Sequence, residues 1–431
     1  MTHAGDMIGV RTVSRRMPSR RPPVGRSLPG LQTGGRGHLF IAVLALAGIV
    51  LPQELEISLG AGARFTPGRF AAALLFLPAL ITLFKKGRSF LLCDLLVVAT
   101  VAWMLIATLS AQGMTGIPTA GGDALDFLGG YLISRAYFFG ERSLGTFVRV
   151  LMVFVTIAIA FALADNLSGR LFTHDMFTAI FGAAPYQGEV RNGWVRAAST
   201  FPHPILFGIF CALTAAILMY WETGAMRRNG AVALCFFGCV LSLSSAALMT
   251  FLMILAIFSY NQVLRRFWWR WLALWIGIGT LVLAVSLAAE HPLQWVLSHL
   301  TLDPQTGFWR ILIWDTASAY VEQSPLVGYA YQQTGSWILD STVDSIWLVY
   351  TLRFGIPMVI LFFLANLASF FPSRRKGAAG INDFHMDQMR RSFTLVLIMF
   401  MFTGITVHFW NFMLMFWGLC LGIRASLREL R

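Results

Sequence analysis

Residues 204–222 read PILFGIFCALTAAILMYWE, an apolar run whose only charged residue is its final glutamate. A hydrocarbon core about 30 Å thick takes roughly 20 helical residues to cross, so this run has the length and composition of a membrane span. Eleven other runs share these properties, some of them shorter, as a locally thinned bilayer allows. We therefore predict an all-α polytopic membrane protein with about twelve transmembrane helices. The other runs lie at approximately residues 38–53, 68–84, 90–111, 124–140, 147–165, 230–244, 246–264, 271–290, 343–366, 392–408 and 411–424.

The composition agrees with this prediction. Of the 431 residues, 57% are hydrophobic and only 12% are charged, which is too apolar for ordinary soluble domains. A net charge of +13 also suits proteins that bind nucleic acid. Here, however, the lysines and arginines stand in short clusters between the apolar runs. This distribution indicates membrane topology, and we expect no nucleic-acid partner.

The basic clusters predict the orientation of the chain. Lysine and arginine are enriched in the cytoplasmic connections of membrane proteins, and here every second connection is basic. Residues 1–37 lack any pattern that buries a core and are predicted to be a disordered, basic cytoplasmic tail. The transmembrane bundle is assigned to 38–425 and a cytoplasmic C-terminus to 426–431. Two long outer loops, 166–203 and 291–342, then face the periplasmic side.

Two local structures are predicted within this frame. The runs 230–244 and 246–264 have basic outer ends that both belong in the cytoplasm, which favours a hairpin turning at residues 242–245 over one long span. In the second outer loop, GFWRILIWDTASAYVEQSP at 307–325 places apolar and aromatic side chains on one helical stripe. That pattern predicts an amphipathic helix on the membrane surface, stopped by Pro325. The stripe consists of Trp309, Leu312, Ile313, Thr316 and Tyr320.

Two arginines fall inside predicted spans. An arginine deep in a membrane costs about 2.5 kcal/mol or more, so it faces a cavity or a charged partner. Arg135 and Arg353 each lie about ten residues, or roughly 15 Å, from the outer end of their predicted span. Two interpretations are open for each arginine: it binds an anionic ligand, or it forms a buried ion pair. The candidate partners are Asp94, Asp123, Asp126 and Asp344.

Four further arginines lie in the outer loops, although lysine and arginine are usually enriched on the cytoplasmic side. Arg170, Arg191 and Arg196 are in the first loop and Arg310 is in the second. Guanidinium groups bind phosphate bidentately and stay charged at any working pH, so such a cluster predicts a clamp for a diphosphate. Attraction to anionic lipid headgroups is the alternative.

Two residues are candidates for proton transfer. His203, in STFPHP at 199–204, stands at the top of the sixth span, where an imidazole serves as acid, base or donor. Asp344, in DSTVDSIW at 340–347, is the best-placed carboxylate for accepting a proton from a sugar hydroxyl. Each has a structural alternative, because a lone interfacial histidine is more often structural and an acid at a helix N-terminus stabilises the helix dipole.

The absence of several known motifs narrows the class of reaction that the protein can catalyse. The sequence has no D-x-D, no P-loop, no G-x-S-x-G and no His/Cys cluster. We therefore expect neither nucleotide-driven chemistry nor a metal or other cofactor. A substrate handled at the outer face without a nucleotide has to arrive already activated, as a lipid-linked diphosphate does.

The order of these features resembles the O-antigen ligase and polymerase superfamily of bacterial envelope glycosyltransferases, particularly its exopolysaccharide polymerase branch. The resemblance covers most of the chain after the tail. It is carried by LGGYLISR (128–135), RNGWVRAASTFPHPILFG (191–208), LSLSSAALMTF (241–251), FWRILIW (308–314), SPLVGYAYQ (324–332) and VDSIWLVYTLRFG (343–355).

The resemblance implies a bacterial inner-membrane enzyme that takes an undecaprenyl-diphosphate-linked glycan and transfers it at the periplasmic face without a metal. The polymerases use a second lipid-linked repeat unit as acceptor, whereas the ligases use the lipid A core. Ligases typically carry a histidine near the position of Asp344, so the aspartate favours a polymerase. The diphosphate-binding candidates are Arg135, Arg191, Arg196, Arg310 and Arg353, and the catalytic candidates are Asp344, His203 and Arg310.

Other functions stay open at this point. An O-antigen ligase shares the donor, and a lipid-linked oligosaccharide flippase shares the arginine cluster. A secondary transporter is less well matched, because no internal repeat is present. A scaffold that assembles polysaccharide export or chain-length-control proteins is a further alternative.

Overall fold

The computed structural model describes residues 36–58, 64–85, 88–182, 188–191, 193–288, 304–371 and 383–429, and it is 78% helical. Two short antiparallel strand pairs are present, β1–β2 (Ile57–Ser58 with Arg64–Phe65) and β3–β4 (Val190–Arg191 with Trp194–Val195). Most of the tail predicted over 1–37 lies outside the described residues. The helices are α1 (Arg36–Val50), α2 (Pro67–Leu83), α3 (Leu92–Gln112), α4 (Ile117–Tyr137), α5 (Glu141–Ser168), α6 (Phe172–Phe181), α7 (Pro204–Trp221), α8 (Ala225–Leu241), α9 (Ser245–Val263), α10 (Arg270–Ala288), α11 (Pro304–Gln323), α12 (Trp337–Ser341), α13 (Ile346–Phe370), α14 (Asp383–Thr403) and α15 (Phe412–Glu429).

Each of the twelve predicted runs overlaps one of these helices. Within the described residues, five helical segments are long and apolar enough to cross a membrane. The structure is thus consistent with an all-α, multi-pass membrane protein, while the count of twelve spans stays a prediction. The five segments are Leu92–Thr115, Glu141–Ser168, Pro204–Trp221, Ser245–Val263 and Ile346–Phe370, and shorter apolar helices cover Gly37–Val50, Pro67–Leu83 and Leu272–Ala288.

Helix boundaries differ from the apolar runs where the helices carry polar residues. α4 begins at Ile117, seven residues before the predicted run, and its added turns contain Asp123. α14 ends at Thr403 rather than 408, because the chain turns at Gly404 although the following residues are apolar. The hairpin between α8 and α9 turns at residues 242–244, where Leu243 has a φ of 45°.

Glycines set the closest helix contact in the bundle, between α4 and α15. A Cβ at Gly418 would lie 2.3 Å from the carbonyl oxygen of Phe127, and one at Gly130 would lie 2.3 Å from that of Met415. Gly418 and Gly422 form a small-xxx-small pattern, which lets two helix backbones approach in a membrane. The sequence GLCLG therefore fixes α15 against α4.

Replacing one of these glycines is expected to destabilise the bundle. Gly418→Ala forces the two backbones apart, and overpacking of this kind costs about 1–3 kcal/mol. The melting temperature of the detergent-solubilised protein should fall. Gly277→Ala on α10 is the matched control, since a Cβ there meets nothing within 4 Å and helix propensity favours alanine. Equal melting temperatures for the two variants would contradict the close packing.

Candidate functional site

A cavity of about 560 Å³ lies at the end of the bundle that carries the two outer loops. Its wall combines the start of α7, part of α11, residues 329–334 and 339–344 of the second loop, α13 and residues 406–410. Four of the seven residues predicted from the sequence line this first cavity. They are His203, Arg310, Asp344 and Arg353.

Arg310 is held in the wall by the packing of α11. Ile313 and Ala317, on the same side of the helix, are buried against Leu339, Leu348 and Leu352. The Nε atom of Arg310 is buried and has no hydrogen-bond partner among the described residues. Burial lowers the pKa of Arg310 below its ordinary value, although the charge of Asp344 opposes this. A partly desolvated guanidinium that lines a cavity is suited to binding an anion.

The buried face of α11 differs from the predicted stripe. Ile313 is 5% exposed, but Trp309 is 46% exposed and meets the ring of Trp337 edge-on at 6.0 Å. Ala317, which was not in the stripe, is buried because its small side chain fits against the bundle. The helix ends at Gln323, just before Pro325. Its position on a membrane surface stays a prediction.

Arg353 is positioned by a break in α13. Gly355 has a φ of 78° and a ψ of 174°, outside the helical range. The carbonyl of Leu352 accepts a hydrogen bond from the N–H of Tyr329 at 2.7 Å. The carbonyl of Arg353 accepts one from the N–H of Ala330 at 2.8 Å. The second outer loop is thus joined by main-chain hydrogen bonds to the residue that carries the guanidinium.

This junction requires glycine on both sides. A Cβ at Gly328 would lie 2.3 Å from the Leu352 oxygen, and a Cβ at Gly355 would lie 2.0 Å from the oxygen of Leu326. Both glycines have positive φ, which other residues rarely adopt. Tyr329 and Arg353, next to this junction, line the first cavity, and irregular backbone within a membrane protein is tolerated where it lines a cavity.

The Arg353 side chain has no acidic partner in the described part of the chain. Its guanidinium lies over the ring of Tyr331, 4.9 Å from the ring centroid. No carboxylate of those residues lies within ion-pair distance, 4.0 Å. Arg310 and Arg353 therefore supply two cations that form no ion pair among the described residues, and the carboxylates of Asp340 and Asp344 line the same cavity.

His203 is engaged at both ring nitrogens. Its Nδ1 accepts the N–H of Ile205 at 3.2 Å, which caps α7, and its Nε2 lies 3.4 Å from Oε1 of Glu189. Burial lowers the pKa of His203, Glu189 opposes that shift, and the nearby Arg196 charge adds to it. The neutral ring therefore directs its N–H toward Glu189 and has no free lone pair. His203 is suited to positioning groups or donating a hydrogen bond rather than to accepting a proton.

Arg191 and Arg196 hold the first outer loop against the bundle. Arg196 is 7% exposed and forms an ion pair with Glu189. Arg191 donates from Nη1 to the carbonyl oxygen of Leu243 at 2.9 Å, in the turn between α8 and α9. Neither residue lines the first cavity, although the contact of Arg196 with Glu189 links it to His203.

Arg135 lies at the opposite end of the bundle. It is in the last turn of α4, twelve residues and about 18 Å along the helix from Asp123. It is 1% exposed, pairs with Asp94 at 3.0 Å and with Glu429, and donates to the oxygen of Ser89. Arg135 is eighteen residues from the start of α4, and not about ten as predicted, because α4 begins seven residues earlier than its apolar run. Of the two readings left open by the sequence, the structure contains the ion pair with Asp94.

A second cavity of about 450 Å³ adjoins the first and shares four of its residues, Tyr331, Arg353, His408 and Trp410. Its own wall carries charges that are already matched. Arg69 pairs with Asp123 and with Asp126, each at 3.0 Å, and Arg64 lies 3.6 Å from Glu56. The two cavities therefore share the unpaired Arg353 and differ in their other arginines, because Arg310 of the first forms no ion pair among the described residues whereas Arg64 and Arg69 of the second are paired.

Sequence reasoning missed several residues of these cavities. Tyr331, His408 and Trp410 were not singled out, since isolated aromatic residues and a lone histidine carry no motif. Asp123 was considered only as an ion-pair partner. Its spacing of three from Asp126 was an available signal, because this places both carboxylates on one helix face.

A buried histidine fastens the first outer loop beside the site. His174 of α6 has its Nδ1 2.6 Å from a carboxylate oxygen of Glu54 and its Nε2 2.9 Å from the carbonyl oxygen of Phe201. Two acceptors require both ring nitrogens to carry hydrogen. Burial opposes the charged ring, but Glu54 and the Phe201 carbonyl outweigh it and raise the pKa of His174.

The stability of this region is therefore expected to depend on pH. Because the folded pKa is raised, the contribution of His174 is complete below its ordinary value of 6.5 and is lost as pH rises through the folded value. We expect a lower melting temperature at pH 8.5 than at pH 6, and a smaller difference in His174→Gln. The same pH dependence in both proteins would contradict the assignment.

The comparisons with known proteins add no relative. No protein-family model matches the chain, and no curated protein matches it significantly.

Proposed function

We propose that this protein polymerises undecaprenyl-diphosphate-linked repeat units into surface polysaccharide at the periplasmic face of a bacterial inner membrane. The observation that supports this most is the pair Arg310 and Arg353, two cations without a carboxylate partner in the described residues, in one cavity at the predicted outer end. A diphosphate leaving group carries the complementary charge. The resemblance to the polymerases, four of whose six segments contribute residues to the same cavity, supports the same reaction.

The proposed reaction is a single inverting displacement. The acceptor hydroxyl oxygen forms a bond to the anomeric carbon, and the bond from that carbon to the diphosphate oxygen breaks. The electron pair leaves with the diphosphate, whose growing charge Arg310 and Arg353 stabilise. The hydroxyl proton passes to Asp344, which lines the first cavity and accepts a hydrogen bond only from Thr342 among the described residues. Holding donor and acceptor side by side supplies part of the rate.

The packing of α4 favours an enzyme over a flippase. A flippase needs polar groups along a path through the bundle. Between Asp126 and Arg135, α4 instead packs Phe127 and Gly130 directly against α15. The charged groups of α4 are thus Asp123 and Asp126 in its first half and Arg135 in its last turn, with close-packed helix between the two groups.

The test is polymerisation by the purified protein in liposomes. The substrate is a lipid-diphosphate-linked repeat unit, with EDTA present and no nucleotide sugar. A ladder of products is expected. Return of intact substrate overturns the proposal, and transfer to an added lipid A core acceptor would identify a ligase instead.

A further inference from the structure

The two cavities meet at a histidine whose ring nitrogens have no partner among the described residues. His408 follows the end of α14 and lines both cavities, together with Tyr331, Arg353 and Trp410. Its side chain forms no hydrogen bond in the described part of the chain, and neither ring nitrogen is buried. His203 differs, because both of its ring nitrogens are engaged. The hydrogen-bonding capacity of His408 is therefore available to a ligand at the meeting point of the cavities.

The loop that carries His408 is fixed on both sides of the ring. Its neighbours in the chain, Val407 and Phe409, are buried. The carbonyl oxygen of Val407 accepts a hydrogen bond from the N–H of Ile346, at the start of α13, at 3.2 Å. The imidazole itself lies against the ring of Trp410, with the centroids 5.3 Å apart. A ring held in this way binds a ligand without first having to be ordered.

The charge at the meeting point of the cavities indicates an anion as the ligand. Of the four residues that the cavities share, Arg353 is always charged and none is a carboxylate. Its guanidinium lies over Tyr331, forms no ion pair within the described residues, and acts electrostatically on the His408 ring. A neutral imidazole has one N–H donor and an imidazolium has two, so His408 can donate to an anion in either state. A cation beside an unused N–H donor is suited to binding phosphate.

The carboxylates of the first cavity do not cancel this charge. Asp340 uses both of its oxygens to accept hydrogen bonds from main-chain N–H groups of its own loop. The charge of Asp344 acts on Arg310, whereas the charge that acts on His408 is that of Arg353. The meeting point of the cavities therefore keeps a net positive charge.

From these observations, and resting on the proposed function, we infer that His408 is a third ligand of the donor diphosphate and binds the same phosphate as Arg353. Arg310 lines the first cavity only, whereas Arg353 and His408 line both. One phosphate then lies against Arg310, and the other lies at the meeting point of the cavities. His408 binds the donor in this arrangement, and Asp344 still accepts the proton of the acceptor hydroxyl.

The test is a calorimetric titration of the detergent-solubilised protein with undecaprenyl diphosphate, the product that keeps the diphosphate. His408→Leu is expected to raise the Kd about tenfold or more, because a hydrogen bond to a charged group is lost. His408→Gln keeps a side-chain N–H donor and should lose less affinity. The melting temperature of both variants should change little, because the ring nitrogens have no partner among the described residues.

Inorganic pyrophosphate is the second probe, and it should bind the wild-type protein more weakly than the lipid does. The reverse order would indicate a site for the free anion and would overturn the assignment to the donor.

His385→Leu is the matched control. His385 of α14 is half-buried and lies edge-on to Trp221, outside both cavities, so its loss should leave the Kd unchanged. An unchanged Kd in His408→Leu overturns the inference, and a slower reaction with that same Kd would assign the ring to the acceptor instead. If the wild-type protein binds the lipid through His408 but does not polymerise, the proposed function fails and the inference survives. If it binds no undecaprenyl diphosphate, both fail.

Discussion

Arg310→Ala is expected to reduce polymerisation by about 100-fold or more, with normal amounts of protein in the membrane. Loss of one preorganised group that stabilises developing negative charge typically costs this much. Arg310 makes no ion pair among the described residues, so alanine leaves no buried carboxylate unpaired. The measurement is the initial rate in liposomes at saturating substrate.

Arg170→Ala is the matched control for this variant. Arg170 is also an arginine of an outer loop, but its side chain is 64% exposed and lies 3.8 Å from Asp175. An exposed pair of this kind contributes little, so both rate and stability should stay near the wild-type values. A polymerisation rate of Arg310→Ala equal to that of the control would exclude the diphosphate clamp.

Arg135→Ala is expected to lose folded protein rather than substrate affinity. The substitution leaves the half-buried Asp94 beside an apolar side chain and removes one of two arginines from Glu429. Breaking a buried pair costs about 3–5 kcal/mol. The amount of monodisperse protein after detergent extraction and its melting temperature should both fall sharply.

A compensating substitution separates this structural role from binding. Arg135→Met with Asp94→Asn removes both charges, and Glu429 keeps Arg88 at 3.3 Å. Stability should recover in the double variant, and polymerisation should recover with it. A stable Arg135→Ala protein that has lost polymerisation alone would show instead that Arg135 acts on the substrate.

Hydropathy located the helices but not their ends. The run at 204–222 and the helix Pro204–Trp221 nearly coincide, because that helix is apolar throughout. α4 was shortened in the prediction because its first seven residues include Asp123, whose charge is matched by Arg69 of α2. Such pairing is a tertiary contact and leaves no hydropathy signal. The short helix α6 and the β3–β4 pair in the first loop were not predicted for the same reason.

Charge reasoning was better at finding the cavity residues than at separating their roles. Arg310 and Arg353 stood out because an arginine in an outer loop or a membrane span needs a partner, and both line the first cavity. Arg196 stood out for the same reason, yet its partner is Glu189 in the same loop. Whether an arginine is paired depends on the folded loop. His408 gave no signal because a lone histidine belongs to no motif, and the lack of a described partner for its ring nitrogens is visible only in the folded chain.

The junction at Gly328 and Gly355, which joins the second outer loop to α13, allows side chains of the first cavity to vary without loss of the fold. The loop is fixed to α13 by main-chain hydrogen bonds at Tyr329 and Ala330, which do not depend on side-chain identity. Gln332 and Gln333 line the first cavity just beyond that attachment. Substitutions at Gln332 and Gln333 can change the shape of the cavity wall while Arg353 keeps its position. Point mutations that change which ligand the cavity accepts are thereby separated from the requirement to fold.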